Sequence, residues 1–114
     1  MGHCHCRMCQ KAHGSPFSTY VQYDKSAFVF EGDTNLMGRY RSSDEATRSF
    51  CRRCGAKFAF EHRAFADSIW LAAGLLVGDL GIAPSYHIFF ASRAAWYPID
   101  DDLPKYDAYP PVPA

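Results

Sequence analysis

No cysteine of this chain lies outside two short clusters, Cys4 to Cys9 and Cys51 to Cys54, so thiols take no part in ordinary core filling. There is no charge excess either. Twelve Lys and Arg balance twelve Asp and Glu, which leaves no overall field to draw nucleic acid or an acidic membrane. The longest apolar run, Ile69 to Val77, is broken by Gly74 and is far too short to span a bilayer. Without a G-x-S-x-G elbow, Ser-His-Asp chemistry has no local support, and no glycine-rich loop offers to cradle phosphate. Repeats, low-complexity segments and internal linkers are also lacking, so the 114 residues are expected to form one domain with a small core. No secretory signal precedes the thiols, and the expected location is the reducing cytoplasm.

What is present is concentrated. Cys4, Cys6 and Cys9 place three thiols within six residues, and Cys51 and Cys54 follow about forty residues on. Thiolates are soft ligands that suit Zn²⁺, and Cys-x-x-Cys lets one tight turn aim two sulfurs at one ion. Gly55, directly after Cys54, supplies the freedom such a turn needs for a positive φ. A disulfide framework fits less well, because five cysteines is an odd count and Cys4 and Cys6 are too close to pair easily. A thioredoxin-like redox pair would follow a strand in a βαβ unit, and no alternation of strands and helices is present.

Sixteen per cent aromatic residues, seven prolines and eight glycines lean toward a mainly β fold with many turns. Arg7 to His13 reads as a short helical turn, stopped by Gly14 and Pro16. Strands are expected over Phe17 to Tyr23, Ala27 to Glu31 and Leu36 to Arg41, with Gly38 at a bulge or a close backbone approach. Arg48-Ser49-Phe50 leads into the Cys51 turn, and Lys57 to His62 leaves it, the pattern of a zinc knuckle at a hairpin tip. Ile69 to Leu76 reads as a buried central strand or a short helix. After an irregular loop from Val77 to Ser85, Tyr86 to Ala91 is a last strand, followed by a proline-broken acidic tail from Trp96 through Pro113. His13 either faces a metal or caps the last carbonyls of its turn. His87 is a core histidine or a catalytic one, and Asp100 to Asp102 is a solvated turn or a cation site.

The chain resembles the glutathione-dependent formaldehyde-activating enzyme family, which also includes the centromere protein V group. The resemblance is carried by His3-Cys4-His5-Cys6-Arg7-Met8-Cys9-Gln10 through Pro16-Phe17, by Gly38 to Ser43, by Arg48 to Gly55, by Tyr86-His87-Ile88 and by Asp100 to Tyr106. It implies a β-tent of small antiparallel sheets with zinc sites at their edge. It also implies a catalytic zinc on Cys4, Cys6 and Cys9, and a structural zinc on Cys51 and Cys54. In the family the structural ion takes two further ligands from a Cys-x-Cys in an N-terminal strand. That strand and those cysteines are absent from this sequence. The Cys51 and Cys54 pair is therefore expected to stay empty or to recruit a ligand from another chain or from the first cluster. A second copy covering the exposed sheet edge, a homodimer, follows from the same missing strand.

Three thiolates on Zn²⁺ leave one open tetrahedral position, as catalytic sites do. A small thiol entering there would become a nucleophile toward an aldehyde, and the family's reaction joins glutathione and formaldehyde as S-hydroxymethylglutathione. Arg7 and Lys11 flank the cluster, either to meet the thiol substrate's carboxylates or as solvated charges. Two classes of function remain: a zinc-dependent carbon–sulfur lyase acting on a thiol–aldehyde adduct, and a zinc-stabilised binding module without chemistry. Closure of the fourth position by His5, His13 or a distant side chain would mark the second.

Overall fold

A computed structural model describes residues 1–111; the last part of the expected tail, Pro113 included, lies outside the described residues. In chain order the regular elements are β1 (Gly2–Cys4), α1 (Arg7–His13), β2 (Ser18–Asp24), β3 (Met37–Arg41), β4 (Ala46–Cys51), β5 (Lys57–His62), β6 (Ser68–Ala72) and β7 (His87–Ile88), with short 3₁₀ turns between them. The expected mainly β fold is found, with one short α-helix among the described residues. The chain divides into two compact units, Met1–Tyr20 with Gly78–Ala114, and Val21–Val77. The first part of β2 belongs to the first unit and the remainder to the second.

In the first unit β1 lies between β2 and β7. It runs antiparallel to β2, Gly2 opposite Tyr20 and Cys4 opposite Ser18, and parallel to β7, His3 opposite His87. Gly2 is needed there, because a Cβ at that position would collide with the Tyr86 ring. The acidic tail runs alongside β7: the His87 N–H donates to Pro104 O, and the Tyr106 N–H donates to His87 O. The innermost side chains of this unit are mostly polar. His5, His87 and Ser18 are each 1 % exposed, joined by Cys9, Tyr20 and Ala94.

α1 occupies the residues expected of it. The Cys6 sulfur caps its start by accepting from the Cys9 N–H at 3.3 Å. Gly14, left-handed at φ 58°, ends it by donating its N–H to Gln10 O.

In the second unit the strand order is β3-β4-β5-β6-β2. Gly38 on β3 is the close approach that its place in a strand implied: a Cβ there would run into the Phe50 ring across the ladder. Val21, Ala46, Ala59, Ile69 and Ala72 are buried, and the Arg48 guanidinium lies 5.0 Å over the Phe60 ring.

Three expectations need correction. Ala27 to Glu31 forms no strand, because the Asp24 carboxylate accepts from the Ser26 N–H and hydroxyl and winds Lys25–Ala27 into a 3₁₀ turn. The strand from Ile69 ends at Ala72, where the chain tightens into a 3₁₀ turn, Ala73–Leu75. The strand from Tyr86 to Ala91 shrinks to His87–Ile88. Phe89 takes the left-handed conformation at φ 52°, and the N–H groups of Phe89 and Phe90 turn to the carbonyls of Ala108 and Tyr106.

Candidate metal centre

Extended backbone sends neighbouring side chains to opposite sides, and β1 uses this alternation. The rings of His3 and His5 both pack against Phe17 and His87. Cys4 and Cys6 therefore fall on the other side, and the first turn of α1 brings Cys9 to them. The three sulfurs lie within 4.8 Å of one another, the one such group of three or more potential ligands among the described residues. A tetrahedral zinc bonded to three sulfurs needs them about 3.8 Å apart, which this spread can meet. Neither His5 nor His13 joins the group. His13 Nε2 sits 2.9 Å from the Tyr20 hydroxyl.

The electrostatics of the cluster favour a cation. The Cys4 thiol is pushed far up, first by the hydrogen bonds it shares with Cys6 and Cys9 and then by burial. Cys6 is lowered by its bond with Cys4, but the opposing effects of Cys9 and of burial leave it raised. Three sulfurs this close cannot all carry negative charge unaided, since each thiolate disfavours the next. A soft divalent cation removes the conflict and releases the protons. The donor set therefore fits a thiolate-bound metal such as Zn²⁺.

Gln10 ties the cluster down. It is buried, and its Nε2 donates to His5 O at 2.7 Å and to Ser92 O at 2.9 Å. Its Oε1 accepts from Arg7, so the Arg7 head group is already engaged in part. Lys11 is exposed in the last turn of α1.

Behind the cysteines lies a second polar structure. His5 Nε2 is 2.8 Å from His87 Nδ1, and His87 Nε2 is 2.9 Å from Asp101 Oδ2. Asp101 also accepts from Lys105 Nζ and from the Leu103 N–H, each at 3.1 Å. The hydrogen bond from His87 is the main reason its carboxyl is lowered to about 2, with Lys105 and Leu103 adding and desolvation opposing. Burial, then electrostatic coupling to the neighbouring His87 ring, lowers His5 to about 4, and burial likewise lowers His3. Asp101 thus engages a histidine and a lysine, rather than standing as a purely solvated turn.

Cys51 and Cys54 sit in the β4–β5 turn. There the Cys51 N–H donates to Ala56 O, the Gly55 N–H donates to Cys51 O, and Gly55 takes the anticipated positive φ of 77°. The Cys51 thiol is lowered, chiefly by the backbone N–H groups of Cys54 and Arg53. No group of three potential ligands among the described residues includes this pair.

Sequence reasoning did not assign Gln10 or Asp101 these roles. Both stand in stretches that carry the family resemblance, Gln10 next to Cys9 and Asp101 within an acidic run, but no local signal marked either as a hydrogen-bonding partner of these groups.

A sequence model of the glutathione-dependent formaldehyde-activating enzyme family matches residues 1–92. An uncharacterized lyase of Schizosaccharomyces pombe is 32% identical over 75 residues, 66% of this chain and 53% of that protein. The chain thus spans about half the length of that curated relative.

Proposed function

Since the chain belongs to the glutathione-dependent formaldehyde-activating enzyme family, we propose that it is a zinc-dependent, carbon–sulfur lyase-like protein acting on an adduct of a small thiol and an aldehyde. The observation that carries this reading is the group of three sulfurs within 4.8 Å, which no fourth His, Cys, Asp or Glu of the described residues joins. Cys4, Cys6 and Cys9 would hold the ion. Held there, zinc would supply Lewis acidity that favours the thiolate form of a small thiol at that position.

The chain's own residues prepare that position. Gln10 clamps the Cys4–Cys9 turn from behind, and the Cys6 sulfur fixes the start of α1. Arg7 and Lys11, both exposed beside the cluster, offer charge to the carboxylates of a thiol such as glutathione. In the cleavage direction the carbon–sulfur bond of a hydroxymethyl thioether breaks and its electron pair stays on sulfur. The hydroxyl proton leaves as the aldehyde carbonyl forms. The reverse reaction adds the thiolate to the carbonyl carbon.

A zinc-stabilised module without chemistry would want the fourth position closed, and His5 and His13 are engaged elsewhere. The test is elemental analysis joined to exchange spectroscopy. The protein is expected to carry zinc through Cys4, Cys6 and Cys9 and to speed exchange between free and hydroxymethylated glutathione. Zinc bound with no change in that exchange rate would favour the binding module.

A further inference from the structure

We propose that Asp101 is a positioning residue: acting through His87, it sets the tautomer of His5 and so holds the Cys4–His5–Cys6 segment in its metal-ready shape. Asp101 lies beyond residues 1–92, the stretch matched by the family's sequence model. An ionised carboxylate can only accept, so the ring nitrogen facing it, His87 Nε2, carries the hydrogen. In the neutral ring the other nitrogen, Nδ1, is then the acceptor. The group facing that acceptor at 2.8 Å is His5 Nε2, which must donate. His5 is left with a bare lone pair on Nδ1, a buried atom with no hydrogen-bond partner among the described residues.

The opposite polarity fails at both ends. It would set a lone pair of His87 against the carboxylate, and it would bury an unpaired N–H on His5, a rarer and costlier defect than an under-used acceptor. The remaining groups packed around the array are consistent with this order. Lys105 and the Leu103 N–H donate to Asp101, the His3 ring leans on His87, Phe17 and Phe90 flank His5, and Arg93 lies over the Phe90 ring.

The array acts on the cysteines through His5, which stands between two of them. Its N–H donates to Ile88 O at 3.0 Å, its carbonyl accepts from Gln10, and its ring donates to His87. Two of these three anchors are supplied by His87–Ile88, the strand that the acidic tail pairs with. Removing the carboxylate frees both rings to invert, and the middle anchor of the cysteine segment slackens.

The experiment combines ¹⁵N NMR of the histidine rings with zinc affinity measured by chelator competition, on the full chain. The wild-type protein is expected to show Nε2–H tautomers at both His5 and His87. In Asp101→Asn the amide can donate, so both rings are expected to lose that fixed tautomer. Zinc affinity should fall by about tenfold to a hundredfold, the usual effect of losing an outer partner, and Asp101→Glu should restore both readouts. A hydrogen on His5 Nδ1 in the wild type overturns the proposal whether or not the variants fold. So does an Asp101→Asn protein with wild-type tautomers or wild-type affinity. The inference uses the reading of Cys4, Cys6 and Cys9 as ligands only for the affinity arm. Failure of the wild type to bind zinc would remove that reading and the positioning role with it. A wrong wild-type tautomer would remove the array and leave the ligands standing.

Discussion

His5 and His87, 82 positions apart in the chain, share a 2.8 Å hydrogen bond between rings that are each 1 % exposed. Two imidazoles fill the space where a small unit would ordinarily place aliphatic side chains. The cysteine strand is thereby held from its inner side by a directional bond as well as by packing, and a hydrogen bond specifies ring orientation where an apolar contact would not.

Loss of any one sulfur of the first cluster should strip the metal. Cys6→Ser keeps a helix-capping side chain, since serine is a good N-cap, but it exchanges a soft ligand for a poor one. Zinc content is expected to fall sharply while the helix persists. Native stoichiometry in this variant, measured by plasma emission, would sink the three-sulfur site.

In the metal-free protein, stability should fall with acid in two stages. His5, lowered to about 4 from 6.5, takes its proton in the unfolded chain first. Its contribution is complete above about pH 6.5 and is lost between there and pH 4. Asp101, lowered to about 2 from 3.8, loses its contribution over that lower interval. Urea midpoints measured at pH 7.5, 5 and 3 should decline in that order. A flat profile between pH 7.5 and 5 would contradict the buried neutral state of His5.

Gln10→Ala should cost about 1–3 kcal/mol, because the buried carbonyl His5 O and the partly buried Ser92 O lose their shared donor. Chemical denaturation of the metal-free protein measures this directly. A change below about 0.5 kcal/mol, the level of an ordinary surface substitution, would mean that the clamp has little role in stability.

Gly38→Ala should destabilise by about 1–3 kcal/mol through overpacking, since the added methyl meets the Phe50 ring. Gly74→Ala is the control: nothing lies within 4 Å of its Cβ position. Equal melting temperatures for the two variants would show that the Phe50 ring moves aside without cost.

The Cys51 and Cys54 pair offers two sulfurs where a structural zinc takes four ligands. The 114-residue chain is therefore expected to lose little zinc when Cys54 is replaced by Ser. A drop of one equivalent per chain would show that a ligand from elsewhere completes that site.

The sequence by itself determined the local events. Cys-x-Cys-x-x-Cys ahead of Gly14 dictated a turn and a short capped helix, because a helix start, a helix stop and a ligand spacing are all matters of a few adjacent residues. Gly55 and Gly38 were legible for the same reason: a positive φ and a close backbone approach leave only glycine. Only the tertiary structure decided what stands behind the cysteines. Nothing within ten residues of His5 announces His87, and nothing near His87 singles out Asp101 from Asp100 and Asp102. Their roles come from a parallel strand pairing and from a tail that turns back alongside it. The strand expected over Ala27 to Glu31 was misread on the same physical ground. A run of aromatic and β-branched residues gives a segment the capacity for a ladder, but the hydrogen bonds that make it a strand belong to a partner the local sequence does not name.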